Sequence, residues 1–250
     1  MATEPVIAES GEREPMQPVA PVWHTVVMIL LLGVWALLGY RSAGMMRAES
    51  APPRMALYVT TLVAEWILFA FVVFGIRRKG VSLRELTGPK WKGVEAMAIG
   101  IGIAAGFWFA ALLILAVAAR LLGIHSAPTQ ATQFMIPHTG AEMAVWVLLA
   151  ITAGICEETI FRGYLQQQFI AWTRNVPAGV ILSAAFFGVG HVYQGVRQAA
   201  LIGVYGALFG ILAAWRRDVK PGMIAHGWQD SLAGALSFVL YKMHIKLPGM

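Results

Sequence analysis

Ionisable side chains lie inside apolar stretches of this sequence, where a lipid-facing helix normally carries none. Glu157 and Glu158 interrupt one stretch, His191 ends a second, and His226 and Asp230 lie within a third. A charge near the centre of a bilayer costs roughly 2.5–3.5 kcal/mol on insertion scales, so such residues usually mark a functional site. Carboxylates and imidazoles from three separate helices could together activate a water molecule for hydrolysis inside a membrane.

The run Glu157-Glu158-x-x-x-Arg162 predicts two different roles for its two carboxylates. On a helix Glu158 and Arg162 share a face, with the acid first, which is the favourable order for an ion pair. Adjacent Glu157 points about 100° away and is left free to act as a general base. The alternative is that both acids belong to a helix end at the membrane interface.

His191 follows Phe187 by four residues, so both side chains share one face of a helix. Glu157 and His191 lie at nearly equal distances along the chain from the turn at residues 174–175. Two antiparallel helices joined there would bring these side chains to a similar depth. The spacing therefore predicts contact between Glu157 and His191.

His226 and Asp230 are also four residues apart, on one face of the last apolar stretch. At 1.5 Å per residue they lie about 9–15 Å from the preceding basic connection, whereas Glu157 lies about 25 Å from its own turn. These depths agree only if the fourth and fifth helices, which carry Glu157 and His191, project beyond the membrane. The polar sequence at residues 166–168 is compatible with such a projection.

The composition indicates a polytopic membrane protein. The 250 residues are 58% apolar and 13% charged, with a mean hydropathy of +0.66. A soluble domain would carry about twice that share of charge. The net charge of +6 arises mostly from short loops between apolar stretches, so no nucleic-acid partner is expected. The single cysteine, Cys156, excludes an internal disulfide.

Seven apolar stretches approach the roughly 17–25 residues that span a bilayer. They are Trp23 to Tyr40, Met55 to Ile76, part of Trp91 to Leu122, Glu142 to Phe161 with a polar extension to about Trp172, Val176 to Tyr193, Val196 to Trp215 and Pro221 to Tyr241. We therefore expect an all-α bundle of seven to eight transmembrane helices.

Three parts of the chain are expected. Residues 1–22, rich in glutamate and proline, should form a disordered tail. Residues 23–80 should form two N-terminal transmembrane helices, and residues 81–250 a helical core whose motif region is 145–232. No role in the site is predicted for the first two helices.

Topology is predicted from the positions of Lys and Arg. The connections at residues 77–92 and 216–220 are both basic and fall on the same side by parity. The positive-inside rule makes that side cytoplasmic, with the N-terminus inside and the C-terminus outside. The small residues Gly203, Gly206 and Gly210 predict close helix packing and no catalytic role.

The charged residues also form three motifs, in one order, within apolar stretches: Glu157-Glu158-x-x-x-Arg162, Phe187-x-x-x-His191 and His226-x-x-x-Asp230. This arrangement resembles the CPBP or ABI family, which includes type II CAAX prenyl endopeptidases and bacteriocin-processing or self-immunity proteins. The resemblance implies an all-helical, glutamate-dependent and metal-independent endopeptidase, expected in a bacterial cytoplasmic (inner) membrane.

The resemblance also implies roles for the catalytic residues. Glu157 and His191 would deprotonate the attacking water, and His226 with residue 230 would stabilise the oxyanion. An ionised Asp230 would repel an oxyanion, so it is either protonated or holds His226 as an imidazolium, and we expect the second. Supporting or substrate-binding roles are implied for Glu158, Arg162 and Phe187.

Other chemistries use the same residue types. Two histidines and two carboxylates could bind a divalent metal, but their spacing matches no zinc signature such as H-E-x-x-H, and no cofactor is expected. A thiol mechanism through Cys156 lacks an oriented histidine. In a non-catalytic immunity, scaffold or transport protein, the same residues would bind a partner, an ion or a proton.

The expected partners are the lipid bilayer and a membrane-associated protein or peptide. A prenylated CAAX-like tail, a peptide pheromone, a bacteriocin precursor and an anti-sigma factor all remain open as substrates, and the sequence leaves the oligomeric state undetermined.

Overall fold

The computed structural model describes residues 17–45, 53–124 and 133–245, which form helices with no β-strand among them. The elements are α1 (Val22–Met45), α2 (Arg54–Arg77), α3 (Leu83–Thr87), α4 (Gly93–Leu121), α5 (Gly140–Glu157), a π-helical segment (Glu158–Leu165), α6 (Gln166–Thr173), α7 (Val176–Gly190), a 3-10 turn (Val192–Gln194), α8 (Val196–Arg216) and α9 (Lys220–Lys242). Because α5, the π segment and α6 are continuous, each of the seven predicted stretches corresponds to one helix. The predicted all-α bundle is confirmed.

The protein is an integral membrane protein. Within the described ranges, five helices are long and apolar enough to cross a membrane: α1, α2, α4, the continuous helix Gly140–Thr173, and α8. Helix α7 is apolar but has only 15 residues, and the more polar α9 lies outside this set of five. Large apolar side chains such as Leu113 and Val117 are exposed on the outer surface, as expected where a helix faces lipid.

The expected disordered tail, residues 1–22, is folded at its C-terminal end, while residues 1–16 lie outside the described part. Val19 and Ala20 are buried, and their backbone N–H groups donate to Oε1 of Gln168 at 2.9 and 3.2 Å. Nε2 of Gln168 donates in turn to the Ala20 carbonyl at 3.0 Å. The boundary predicted at residue 22 is therefore too late, because a buried glutamine satisfies this backbone.

A buried polar network joins α1 to the π segment. Nε2 of His24 donates to the Phe71 carbonyl at 2.9 Å, so its Nδ1 accepts from the Tyr164 hydroxyl at 2.7 Å. That hydroxyl also bonds to Oγ1 of Thr25 at 2.8 Å. Every polar group of the network has a partner, which fixes the first two helices against the segment that carries the site.

The two basic connections meet at one end of the bundle, as parity predicts. The Thr87 carbonyl accepts from the backbone N–H of Val219 at 3.1 Å. The carboxylate of Asp218 accepts from Nε1 of Trp91 at 2.7 Å and pairs with Lys220 at 2.7 Å. The shared end is confirmed, and its cytoplasmic location stays a prediction from the positive charge.

Helix α3 defines a common level for the helices that carry the site. Nε2 of Gln167 donates to the Leu86 carbonyl at 3.1 Å, Leu86 packs against Gly163, and α3 ends against the start of α9. Glu158 precedes Gly163 by five residues, and His226 follows the first residue of α9 by six. Helix α6 extends beyond this level. The motif on the helix of Glu157 and the motif on α9 therefore lie at similar depths, although their spacing along the sequence predicts different ones.

The predicted close packing of α8 is confirmed. A Cβ atom at Gly206 would lie 2.9 Å from Cδ1 of Phe187, and one at Gly210 would lie 2.6 Å from Oε1 of Gln166. A Cβ atom at either position would force its neighbour to move. These glycines therefore let α8 approach α7 and α6 closely.

Candidate active site

The helix geometry changes between the two adjacent glutamates. Helix α5 ends at Glu157 and the eight-residue π segment begins at Glu158, where the sequence predicts an uninterrupted α-helix. All eight residues of the segment are buried. Because π turns change the direction of the side chains that follow, they occur frequently at functional sites.

Glu158 and Arg162 form the predicted ion pair. Nη1 of Arg162 donates to Oε1 of Glu158 at 2.8 Å, and both side chains are 1% exposed. Nη2 donates to the Gly206 carbonyl at 3.2 Å, and the guanidinium carbon lies 4.2 Å from the centre of the Phe187 ring. These contacts fix Arg162 on three sides, as buried charge requires.

His226 lies among three carboxylates. Its Nδ1 donates to Oε1 of Glu158 at 3.0 Å, so this glutamate binds both Arg162 and the imidazole. Its Nε2 lies 3.7 Å from Oε2 of Glu157 and 3.6 Å from Oδ2 of Asp230. The two carboxylates of the first motif and the single carboxylate of the last motif therefore meet around the His226 side chain.

Glu157 is the carboxylate without a strong partner. Its Oε2 has no hydrogen bond, and its side chain is 19% exposed. The nearest side chain that can carry a positive charge is His226, whose Nε2 lies 3.7 Å from Oε2 of Glu157. The predicted contrast between a paired Glu158 and a free Glu157 agrees with this geometry.

His191 ends α7 with φ −105° and ψ 13°, a backbone region common among active-site residues. Its Nδ1 donates to the Phe187 carbonyl at 2.8 Å, which leaves Nε2 as an acceptor. Both rings lie on one face, as predicted, with centroids 4.8 Å apart.

The expected contact between Glu157 and His191 is not observed. Both residues are described, yet no ion pair joins them. His191 instead interacts electrostatically with Asp230, whose Oδ2 lies 3.6 Å from Nε2 of His226. The histidine in contact with the Glu157 carboxylate is His226 of α9.

Phe187 packs against the charged groups that the three motifs supply. Besides Arg162 and His191, it contacts His226, with ring centroids 6.1 Å apart at 84°. Its side chain is 2% exposed. This ring therefore forms an apolar wall of the site, which strengthens the electrostatic interactions around it.

The comparison with known proteins agrees with this arrangement. Residues 139–232 match the family model described as type II CAAX prenyl endopeptidase, Rce1-like. This region is thus similar to an Rce1-like domain. The match confirms the resemblance predicted from the three motifs, and it places all seven predicted site residues in a domain of a protease family. No curated protein and no solved structure matches the chain.

One further acid reaches the site from outside the Rce1-like domain. Glu65 of α2 is 7% exposed, and its Oε2 has no hydrogen-bond partner. The carboxylates of Glu157 and Asp230 lie close enough to repel it. Glu65 was not among the residues predicted from the sequence, although an ionisable side chain within the stretch Met55 to Ile76 is the same signal that identified the others.

Two tyrosines also surround the carboxylates of the Rce1-like domain. The buried hydroxyl of Tyr205 has no hydrogen-bond partner and interacts electrostatically with Glu158 and Asp230. Tyr193 is near Glu157 and Asp230 and donates no bond to either. Both hydroxyls are neutral donors that a developing negative charge could use.

The carboxylate and imidazole groups of the site are side chains of the kind that can bind a divalent metal ion. Across the described ranges, no three or more His, Cys, Asp or Glu side chains are arranged to hold a metal ion. Glu158 and His226 instead bind each other, and the expected metal independence stays a prediction. Cys156 is fully buried against the core, as its small apolar character suggests.

Proposed function

We propose that this protein is an intramembrane endopeptidase that uses Glu157 to activate water against a peptide bond of a membrane-associated protein or peptide. The observation that carries the proposal is the half-buried carboxylate of Glu157, whose Oε2 is buried without a hydrogen bond beside a histidine held by a second carboxylate. The Rce1-like domain, which belongs to a protease family, supports the same reaction class.

In the proposed reaction Glu157 accepts a proton from water, and the resulting hydroxide attacks the scissile carbonyl carbon. His191 presents Nε2 as a second acceptor because its Nδ1 proton is bound to the Phe187 carbonyl. This lone pair would orient the water. When the tetrahedral intermediate collapses, the C–N bond breaks and the proton held by Glu157 passes to the leaving amine.

The oxyanion of that intermediate would be stabilised by His226. Three surrounding carboxylates favour an imidazolium, and Glu158 already accepts its Nδ1 proton. Only the Nε2 proton is then free for the oxyanion. Asp230, whose side chain is 39% exposed, would hold this imidazolium in place and not donate itself.

The substrate is proposed to be a polypeptide that reaches the site from the membrane. A prenylated CAAX-like C-terminus is the first candidate because it is the substrate class in the family description. We propose a bacterial cytoplasmic membrane as the location.

The proposal is tested with an internally quenched peptide whose CAAX cysteine carries a farnesyl group, and with the same peptide lacking that group. Glu157→Gln keeps the shape but removes the base, so cleavage should fall about 10²–10⁴-fold. The control is Glu95→Gln, an exposed acid in the first turn of α4, which should leave cleavage unchanged.

Full cleavage by a folded Glu157→Gln variant would overturn the proposed mechanism. If neither peptide is cut, new C-termini in a membrane peptide mixture incubated with the protein and with Glu157→Gln identify the substrate. We expect EDTA to leave the rate unchanged, and a loss restored by Zn²⁺ would show that a metal takes part.

A further inference from the structure

We propose that Glu65 is a positioning residue of this site: it carries its proton and donates it in a hydrogen bond to Oε2 of Glu157. Its catalytic meaning rests on the proposed function. Glu65 lies on α2, outside the region matched by the protease family. It is the one residue from the N-terminal helices that brings an ionisable group to the catalytic carboxylate among the described residues.

The first support is the burial of a carboxyl group without a cation. Glu65 is 7% exposed and forms no ion pair in the described structure. The titratable groups that face it are Glu157 and Cys156 of α5, Tyr193 of the 3-10 turn and Asp230 of α9. None of these is a cation. A carboxylate in this position would be charged, buried and unpaired, which is strongly unfavourable.

The second support is the balance of charge. The site contains four carboxyl groups: Glu65, Glu157, Glu158 and Asp230. Three side chains near them can carry a positive charge: Arg162, His226 and His191. At most three carboxylates can therefore be balanced, so at least one carboxyl group is expected to hold a proton. Glu65 is much more buried than Asp230, whose side chain is 39% exposed.

The third support is a pair of unsatisfied atoms. Oε2 of Glu65 and Oε2 of Glu157 are both buried without a hydrogen-bond partner. Helix α2 packs directly against α5, and the two side chains are close enough to interact electrostatically. Two carboxylates cannot bond to each other, but one proton between them satisfies both oxygens. Protonation of Glu65 alone therefore gives both buried oxygens a hydrogen-bond partner. This removes the unfavourable free energy of two unsatisfied buried polar atoms.

This bond has a consequence for the reaction. If Oε2 of Glu157 accepts from Glu65 and lies beside Nε2 of His226, the other oxygen, Oε1, is the one available to take the proton from water. The bond would also favour the ionised form of Glu157, because a carboxylate is a stronger acceptor than a carboxylic acid. Helix α2 would thus set the orientation of the general base.

The test compares two replacements of Glu65. Glu65→Gln keeps a neutral donor of the same shape, so the cleavage rate should stay within about threefold of the original. Glu65→Leu keeps the size but leaves Oε2 of Glu157 without a donor, so the rate should fall on the order of tenfold or more. Ile67→Leu on the same helix, where Ile67 is 62% exposed, is the matched control and should have no effect.

Infrared spectroscopy of the reconstituted protein gives a readout that does not depend on activity. The carboxylic acid C=O band should lose intensity in Glu65→Gln and stay unchanged in Ile67→Leu. An undiminished band in Glu65→Gln, equal activity of Glu65→Leu and the original protein, or equal loss in the Gln and Leu variants would each overturn the assignment.

The same experiment separates this assignment from the proposed function. If Glu157→Gln still cleaves, the proposed function fails, and the infrared band alone decides the protonation of Glu65. If Glu157→Gln is inactive while Glu65→Leu cleaves normally, the endopeptidase proposal stands and only the role of Glu65 is rejected.

Discussion

His226 donates through Nδ1 to Oε1 of Glu158 at 3.0 Å, across the interface between α9 and the π segment. The same oxygen accepts from Arg162, so one carboxylate links an arginine to a histidine that lies 68 residues after Glu158 in the chain. The sequence pattern predicts the pair with Arg162 but contains no indication of the histidine. The second carboxylate of the motif therefore holds the site together and is not available as a base.

Removal of Arg162 should destabilise the protein. Arg162→Met leaves Glu158 buried with His226 as its remaining partner, and breaking a buried ion pair costs about 3–5 kcal/mol. We expect the lower part of that range because the histidine still compensates part of the charge. The free energy of unfolding in detergent micelles measures the effect. The double variant Arg162→Met with Glu158→Gln should recover part of the loss, and no recovery would contradict the ion-pair explanation.

Gly206 should not tolerate a methyl group. The Cβ atom in Gly206→Ala would lie 2.9 Å from Cδ1 of Phe187 and 3.3 Å from Nη2 of Arg162, so overpacking should cost about 1–3 kcal/mol. Cleavage should fall as well because both neighbours line the site. Gly102→Ala is the control, since no atom lies within 4 Å of that Cβ, and thermal unfolding of the two variants compares them. Equal unfolding temperatures would exclude close packing at Gly206.

Gln168 should hold the segment before α1 in place. In Gln168→Leu the N–H groups of Val19 and Ala20 lose their acceptor, so their amide hydrogens should exchange faster with solvent. Hydrogen–deuterium exchange followed by mass spectrometry measures this directly. Exchange in α8 serves as the internal reference and should not change. Protection retained at residues 19 and 20 would show that another contact fixes the segment.

The cap of α3 should weaken at acidic pH. Hydrogen bonds from the hydroxyl and backbone N–H of Ser82 lower the pKa of Glu85 below its usual value. A carboxyl group with a lowered pKa stabilises the folded cap above the pKa of the unfolded chain, and this stabilisation disappears as the pH falls through the lowered value.

Amide exchange in α3 should therefore show less protection at pH 3 than at pH 7, after correction for the intrinsic exchange rate. This window includes the ordinary pKa of a Glu carboxyl group, roughly 4.3. Glu85→Gln retains an acceptor at the same position and should remove this pH dependence. A pH dependence that persists in Glu85→Gln would assign it to another group.

Local features of the sequence determined the helices. The apolar stretch Val196 to Trp215 corresponds to α8 at Val196–Arg216, because hydrophobic length and the charged residues that follow are encoded locally. The Glu158–Arg162 pair was predictable for the same reason, since residues four apart on one turn are neighbours regardless of the rest of the fold. The divergence of Glu157 from Glu158 also follows from local helix geometry.

The tertiary structure decided which residues meet. The contact of His226 with Glu158 depends on the depth of α9 against α5, and α3 sets that depth through Leu86 and Thr87. The approach of Glu65 depends on the rotation of α2, which a pattern along one helix does not encode. The sequence by itself therefore determined the kind of protein and most of its reactive groups. Their pairing depended on packing between distant helices, because depth and rotation are set by contacts far apart in the chain.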